Sequence, residues 1–262
     1  MISGNTIDLN HFATSEVIGF MLVLARVGGL FVLAPGFSSK MIPVRAKLML
    51  AFAISLAIMP IATHGHHVPG DPGVMVTMLF AELLTGIAFA MPLAVLGAAV
   101  SAGAGLIDTL IGFSFAAQID PITNQQNAVM AQFYSLFATM VFFLTGGDQL
   151  MIQGLAASYR LLPLGQAPNI DALAASVPAS LEQVFSIGLE ISAPVVIALV
   201  ISDAAFGLIS RAVPQMNVFF VGMPAKILLG LAVVGASLPF VAAHLTDQMQ
   251  ASVLQALETL KQ

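Results

Sequence analysis

Residues 203–226 read DAAFGLISRAVPQMNVFFVGMPAK and lie between two strongly apolar runs, 192–202 and 227–238. Four ionisable residues fall in or beside stretches long enough to span a bilayer: Glu190, Asp203, Arg211 and Lys226. An ionised Asp, Lys or Arg at the centre of a membrane helix costs about 2.5–3.5 kcal/mol. Four such groups cost roughly 10–14 kcal/mol, about what twenty apolar residues return at 0.3–0.6 kcal/mol each. The hairpin is therefore marginal alone in lipid, and the sequence predicts that protein partners surround it.

The composition is that of an integral membrane protein. Of the 262 residues, 58% are hydrophobic and 8% are charged, against about 45–50% and 25% in soluble domains. Six apolar blocks each suit a spanning helix of about 20 residues: about 17–34, 44–62, 74–107, 128–145, 184–213 and 217–245. They predict an all-α polytopic membrane protein, with residues 1–262 as a single membrane domain. The eight Lys and Arg residues are too scattered to indicate nucleic-acid binding.

Prolines and small residues are expected to shape these helices. The prolines predicted to kink or break a helix are Pro92, Pro194, Pro214, Pro224 and Pro239. Gly97, Ser101 and Gly105 repeat every four residues, which predicts a stripe for close helix contact. Residues 147–183 are rich in Gly, Pro and Ala, and are interpreted as a surface linker containing short helices.

Signals of catalysis or metal binding are weak. The chain has no Cys, which removes thiolate chemistry. Residues 112–116, GFSFA, are one residue away from the G-x-S-x-G nucleophile elbow, but the strand–turn–helix context is absent. Asp108 and Asp120 have no spacing that pairs them as acid and base, and the three histidines within 64–67 are better explained as an exposed loop than as a metal site. No catalytic residue, metal or cofactor is predicted.

Residues 106–124 read LIDTLIGFSFAAQIDPITN, an apolar stretch with polar interruptions in which Gly112 allows a bend. One interpretation is a buried connector whose phenylalanines pack into neighbouring helices. The other is a deformable hydrophobic plug in a pore, because apolar constrictions gate by excluding water. The plug would comprise Ile111, Gly112, Phe113, Ser114, Phe115 and Ala116.

The charged hairpin has its own alternatives. Asp203, Gly207 and Arg211 lie four residues apart and share one helix face. Asp203 and Arg211 are two turns apart, roughly 12 Å, so each needs a partner on another helix or chain, and Lys226 is the candidate for Asp203. A structural or subunit-contact role is favoured over a proton or ion relay. The predicted network of buried charges and subunit contacts comprises Glu82, Glu190, Asp203, Arg211 and Lys226.

Together these motifs resemble the FliR family of flagellar type III export-gate proteins, which includes injectisome homologues. The most specific match is the 203–226 hairpin, with its turn motif of Pro214, Gln215, Asn217, Gly222 and Pro224. Weaker matches are Arg26 to Gly29 with Phe31 and Pro35, Pro43-x-Arg45-x-Lys47, Glu82 with Gly86, and 112–116 followed by Asp120 and Pro121. The resemblance covers about residues 15–245.

The resemblance implies one subunit of a cone-like export gate in the bacterial inner membrane, at the flagellar basal body. Its partners would be FliP-like and FliQ-like subunits, with FlhA-like and FlhB-like proteins on the cytoplasmic side. Unfolded flagellar subunits would pass through the gate, and residues 112–116 would plug its lumen. Two alternatives remain: a secondary transporter for a small solute, for which no convincing internal repeat is found, and a scaffold subunit without a pore role. The sequence of the 203–226 motif favours a flagellum over an injectisome.

Overall fold

The computed structural model describes residues 9–37, 42–63, 72–113, 129–215 and 217–261. Within these ranges the chain forms seven helices and no strand: α1 Leu9–Leu33, α2 Val44–Ala62, α3 Pro72–Ile111, α4 Val129–Leu144, α5 Gly147–Leu161, α6 Ile170–Ala212 and α7 Val218–Lys261. The predicted all-α class is confirmed, and the six apolar blocks fall almost wholly inside helices.

Of the seven helices in the described ranges, five are long and apolar enough to cross a membrane, with mean hydropathies of 1.8 to 2.3. The number rises to six if α4 and α5, separated by a short break, are counted as one span. α3, α6 and α7 contain 40, 43 and 44 residues. At 1.5 Å per residue they are about 60–66 Å long, roughly twice the hydrocarbon thickness of a bilayer. The chain is a polytopic membrane protein whose longest helices extend beyond the hydrocarbon or tilt within it.

The prolines are accommodated inside continuous helices. α6 runs through Pro194, and α7 runs through Pro224 and Pro239. The predicted breaks at these three positions are wrong, and of the four prolines predicted to break a helix only Pro214 lies between two helices. Each internal proline removes one backbone hydrogen bond, a loss that neighbouring helices and local backbone adjustment offset in membrane helices. The expected kink at Pro92 stays a prediction, although α3 continues through it.

The predicted surface position of residues 147–183 is also wrong, although α5 is a short helix of the kind expected there. α5 buries Met151, Leu155 and Tyr159, and residues 170–183 begin α6. Those three side chains recur every four residues, which is helical spacing, but Gln153, Gly154 and Ser158 between them lower the mean hydropathy. α7 likewise continues past the last predicted block and buries residues three or four positions apart, which is also helical spacing: Met249, Val253, Ala256 and Leu260.

α3 and α6 approach each other closely at a face of α3 beside the predicted stripe of Gly97, Ser101 and Gly105. A Cβ added at Gly103 would overlap the carbonyl of Gly188, and one added at Gly188 would come within 2.9 Å of the Ala99 carbonyl. By contrast, Ser101 is exposed and a Cβ at Gly105 would meet nothing within 4 Å. The small residues that α6 approaches on α3 are therefore Ala99 and Gly103, which are also four residues apart. The position of Gly188 on α6 decides which face of α3 is approached.

The chain divides into two compact units. Unit 1 comprises Met1–Ala94, Gly146–Val177 and Gln250–Gln262, and unit 2 comprises Val95–Thr145 and Pro178–Met249. α3, α6 and α7 contribute residues to both. In unit 1, α2 packs against α1 and α5; in unit 2, the Gly103 and Gly188 contact joins α3 to α6. The single domain expected over 1–262 stays a prediction.

Candidate functional site

A fully buried ion pair joins α1 to α3 in unit 1. Neither Arg26 nor Glu82 is exposed to solvent. Arg26 Nε donates to Glu82 Oε2 at 2.6 Å, and Arg26 Nη2 donates to Glu82 Oε1 at 3.1 Å. The guanidinium therefore contacts both carboxylate oxygens, in the bidentate arrangement that makes this type of pair strong. The Tyr159 ring lies 4.0 Å from Arg26 Cζ and adds a cation–π contact.

The remaining partners of this pair come from α5 and the residues that follow it. Arg26 Nη1 donates to Ser158 Oγ at 3.2 Å, and Nη2 donates to the Leu162 carbonyl at 3.0 Å. The Gly165 N–H donates to Glu82 Oε1 at 2.7 Å. Burial of an ion pair is costly unless additional hydrogen bonds satisfy it. The segment expected to be a surface linker thus completes the buried pair.

Two glycines bring the backbones of α1 and α3 together beside this pair. A Cβ at Gly86 would overlap the carbonyl of Arg26, and one at Gly29 would overlap the carbonyl of Leu83. The structure adds Arg26, which the predicted network lacks, as the partner of Glu82 in unit 1. The other four predicted charges belong to unit 2, and their subunit-contact role stays a prediction. A sequence signal existed: each buried charge is followed, three or four residues later, by a glycine on the same helix face.

The charged hairpin contains an ion pair between α6 and α7. Lys226 Nζ lies 2.7 Å from both carboxylate oxygens of Asp203, which confirms the predicted pairing. The Asp203 side chain is 48% exposed and that of Lys226 is 18% exposed in the isolated chain. The pair therefore closes the hairpin without being buried within it.

The other two charges of the hairpin differ in their partners. Glu190 Oε2 lies 3.1 Å from His244 Nε2, close enough for an ion pair but not aligned as a hydrogen bond, and Glu190 Oε1 accepts a hydrogen bond from Ser186. Arg211 is exposed in the last turn of α6. No hydrogen bond or ion pair reaches it from any residue within the described ranges. Burial of these groups by partner subunits stays a prediction.

The predicted turn motif divides between the turn and the next helix. Pro214, Gln215 and Asn217 lie between α6 and α7, whereas Gly222 and Pro224 lie in the first turns of α7. The Asn217 carbonyl accepts the Phe220 N–H at 3.1 Å, so α7 begins directly after this residue.

The first half of the predicted plug ends α3. Ile111 is fully buried, and a Cβ at Gly230 would lie 2.8 Å from Ile111 Cγ1. Gly112 has φ +99°, a conformation that glycine adopts readily, in agreement with the predicted bend. Phe113 is partly exposed, and Ser114, Phe115 and Ala116 lie outside the described residues. Ile111 therefore anchors this stretch in the core of unit 2, and the plug itself stays a prediction.

Much of the apolar surface of α6 and α7 is uncovered. Only 33% and 22% of their candidate spans are buried, between the 50% of α1 and α3 and the 17% of α2. The exposed apolar side chains include Ile197, Ile201, Leu208, Phe220 and Leu228. Exposed apolar side chains in such numbers require lipid or another protein to cover them.

The model of a protein family described as bacterial export proteins, family 1, matches residues 17–252. The flagellar biosynthetic protein FliR of Bacillus subtilis is 31% identical over 211 residues, which cover 79% of this chain and 81% of that protein. The chain belongs to the FliR family of bacterial export proteins. The predicted resemblance is thereby confirmed, and both the Arg26–Glu82 pair and the charged hairpin lie within the range that matches the FliR family.

Other FliR-family proteins match most of the chain as well. The FliR protein of Caulobacter vibrioides is 28% identical over 242 residues, which cover 92% of this chain and 96% of that relative. The surface presentation of antigens protein SpaR of Salmonella typhimurium is 27% identical over 221 residues, covering 84% of this chain and 81% of SpaR. Membership in the FliR family assigns the chain to the export apparatus of flagellar and related type III secretion systems.

Proposed function

We propose that this FliR-family chain is a subunit of the flagellar type III export gate in the bacterial inner membrane. It forms part of the channel through which unfolded flagellar subunits are secreted. The observation that carries the proposal is made on the α6–α7 hairpin. Its exposed side chains are mostly apolar, yet Arg211 lies among them and has no partner among the described residues. An ionised Arg at the centre of a bilayer costs about 2.5–3.5 kcal/mol, a cost that a protein partner with an acceptor group removes.

The contact surface for FliP-like and FliQ-like subunits is the face of α6 that carries Asp203, Gly207 and Arg211. A Cβ at Gly207 would meet nothing within 4 Å, so α6 leaves room for another helix to approach closely. Arg211 selects a partner that offers a carboxylate or the free carbonyls of a helix C-terminus. The FlhA-like and FlhB-like proteins meet the gate on its cytoplasmic side, a role that rests on family resemblance alone.

The segment from Ile111 to Ala116 acts as a luminal plug. A ring of apolar groups excludes water and so blocks ions. Within this proposal Ile111 holds the segment to unit 2, Gly112 supplies the bend, and Phe113 and Phe115 occupy the lumen. The burial of Ile111 and the positive φ of Gly112 support the first two roles.

Deletion of residues 113–116 tests the plug and spares Ile111, which belongs to the core of unit 2. We expect the complex to assemble, as measured by co-purification with FliP-like and FliQ-like subunits, while membrane ion leak rises. Phe185→Ala, at an exposed position on α6, serves as the control and leaves the leak unchanged. If the deletion variant assembles but neither leaks nor changes secretion, residues 113–116 are not a plug, and the chain acts as a scaffold subunit.

Complementation separates the flagellar role from the alternatives. Expression in a flagellated species from which its own FliR has been deleted should restore motility and filament export. Restoration of effector secretion in an injectisome mutant, without motility, would shift the assignment to an injectisome. Solute uptake by the chain reconstituted alone into vesicles would favour a secondary transporter, because a gate subunit requires its partners.

A further inference from the structure

A buried carboxylate connects the end of α3 to the start of α4. Asp108 lies in the last turn of α3 and is 3% exposed. Its Oδ1 accepts the Met130 N–H at 2.9 Å, and its Oδ2 accepts the Ala131 N–H at 3.2 Å. Both oxygens therefore bind backbone groups in the first turn of α4, which begins at Val129. All of these residues belong to unit 2.

This contact caps the N-terminus of α4 with a side chain from another helix. The first N–H groups of a helix have no partner within the helix, and a side chain at the N-cap position usually accepts them. Here the acceptor comes from a residue 22 positions earlier in the chain. The negative charge also lies at the positive end of the α4 dipole, and hydrogen bonds to a carboxylate are stronger than those between neutral groups. A single side chain therefore satisfies α4 and ties it to α3.

We infer that Asp108 is a positioning residue that fixes the two ends of the segment carrying the proposed plug. This inference rests on the proposed gate function for its consequence, but the structural link from Asp108 to α4 is independent of it. Ile111, three residues further along α3, is fully buried and packs against Gly230 of α7 at its own end of that segment. Without Asp108, α4 would lose its cap and these two hydrogen bonds to α3, while Ile111 would still hold the end of α3.

The absence of native Cys makes the link directly measurable. Thr109 and Gln132 are exposed and flank the contact on α3 and α4. Each is replaced by Cys and spin-labelled, and the distance between the labels is measured in the purified export complex by pulsed electron paramagnetic resonance. We expect a narrow distance distribution in the parent, a broader one in Asp108→Asn, and the broadest in Asp108→Ala. The Asn variant keeps the shape and one acceptor oxygen but loses the charge.

Asp171→Asn is the matched control. It removes the same charge from the first turn of α6, where Asn169 Oδ1 already accepts the Asp171 and Ala172 N–H groups. We expect it to leave the distance distribution unchanged. If Asp108→Ala fails to accumulate, the near-isosteric Asp108→Asn decides the outcome.

Ion leak measured on the same variants distinguishes the positioning role from the plug. A broader distribution together with increased leak supports both proposals. A broader distribution without leak supports the positioning role and overturns the plug. An unchanged distribution in Asp108→Asn and in any Asp108→Ala that accumulates overturns the positioning role, whatever the leak.

Discussion

Arg26 and Glu82 form a bidentate ion pair at which α1 and α3 meet, with neither side chain accessible to solvent. Removal of one partner leaves an uncompensated buried charge, which costs about 3–5 kcal/mol in comparable pairs. We expect Glu82→Ala to lower the unfolding free energy by this amount and to reduce the amount of protein in the membrane. Thermal unfolding in detergent measures the first effect, and immunoblotting measures the second.

Two further variants identify the cause of that loss. Arg45→Ala changes an exposed cation on α2 and should have little effect. Joint replacement of Arg26 by Met and Glu82 by Leu should recover much of the stability, since apolar residues often substitute well for a complete buried pair. A double variant as unstable as Glu82→Ala would instead assign the loss to packing.

Gly29 and Gly28 are neighbours with opposite surroundings. A Cβ at Gly29 would overlap the backbone of α3, whereas one at Gly28 would meet nothing within 4 Å. Ala is better than Gly in a helix by about 0.8–1 kcal/mol, so Gly28→Ala should be neutral or stabilising. We expect Gly29→Ala to force α1 away from α3 and to lower the melting temperature. Equal melting temperatures for the two variants would contradict the close approach of these helices.

The Asp203–Lys226 pair predicts a charge-swap rescue. Lys226→Asp places two carboxylates together, and we expect it to reduce co-purification with FliP-like and FliQ-like subunits. The combined Asp203→Lys and Lys226→Asp variant restores opposite charges and should recover the complex. Because Asp203 is about half exposed, the effect on folding of the isolated chain should be small, roughly 0.2–1 kcal/mol. A double variant no better than Lys226→Asp would mean that the partners, rather than this chain, recognise the charges.

Local periodicity was enough to predict part of this structure. Apolar runs of about 20 residues locate the main helices, and the eight-residue separation of Asp203 and Arg211, two helical turns, correctly excludes their pairing. Lys226 could be predicted as the partner of Asp203 because the two are separated by a single turn between adjacent helices. In each case the relevant information lies within one helix or one hairpin.

The features that escaped prediction depend on contacts between segments far apart in the chain. The spacing of Arg26 and Gly29 identifies a helix face but does not say which other helix that face meets. Likewise Gly188, 85 residues after Gly103, decides which face of α3 is approached. The burial of α5 escaped prediction for a related reason, since Ser158 and two residues after the helix contact Arg26 and Glu82, which lie far away in the sequence.

A substitution at Gly207 tests assembly of the complex separately from folding of the chain. Gly207 is exposed on the proposed contact face of α6, and a Cβ there would meet nothing within the chain. Gly207→Leu should therefore leave the unfolding of the isolated chain unchanged or slightly improved, because Leu is the better helix former. We expect the bulky side chain to obstruct the neighbouring subunit and to lower co-purification. Full recovery of the complex would remove this face from the proposed interface.

Ile111 and Gly230 predict a coupling between α7 and the base of the proposed plug. A Cβ at Gly230 would lie 2.8 Å from Ile111 Cγ1 and 2.9 Å from Ile111 Cδ1, so Gly230→Val must displace the Ile111 side chain. We expect the assembled gate to leak ions as a result. Gly235→Val, also on α7 but with nothing within 4 Å of its Cβ, is the matched control and should not leak.

A second substitution tests whether the effect passes through Ile111. Ile111→Ala removes the atoms that the Val side chain would strike, so the Gly230→Val and Ile111→Ala variant should leak less than Gly230→Val alone. Residues in contact show such non-additive effects, typically 0.5–3 kcal/mol in double-mutant cycles. Strictly additive effects would show that Gly230 acts on the gate by another route, and that burial of Ile111 serves only the core of unit 2.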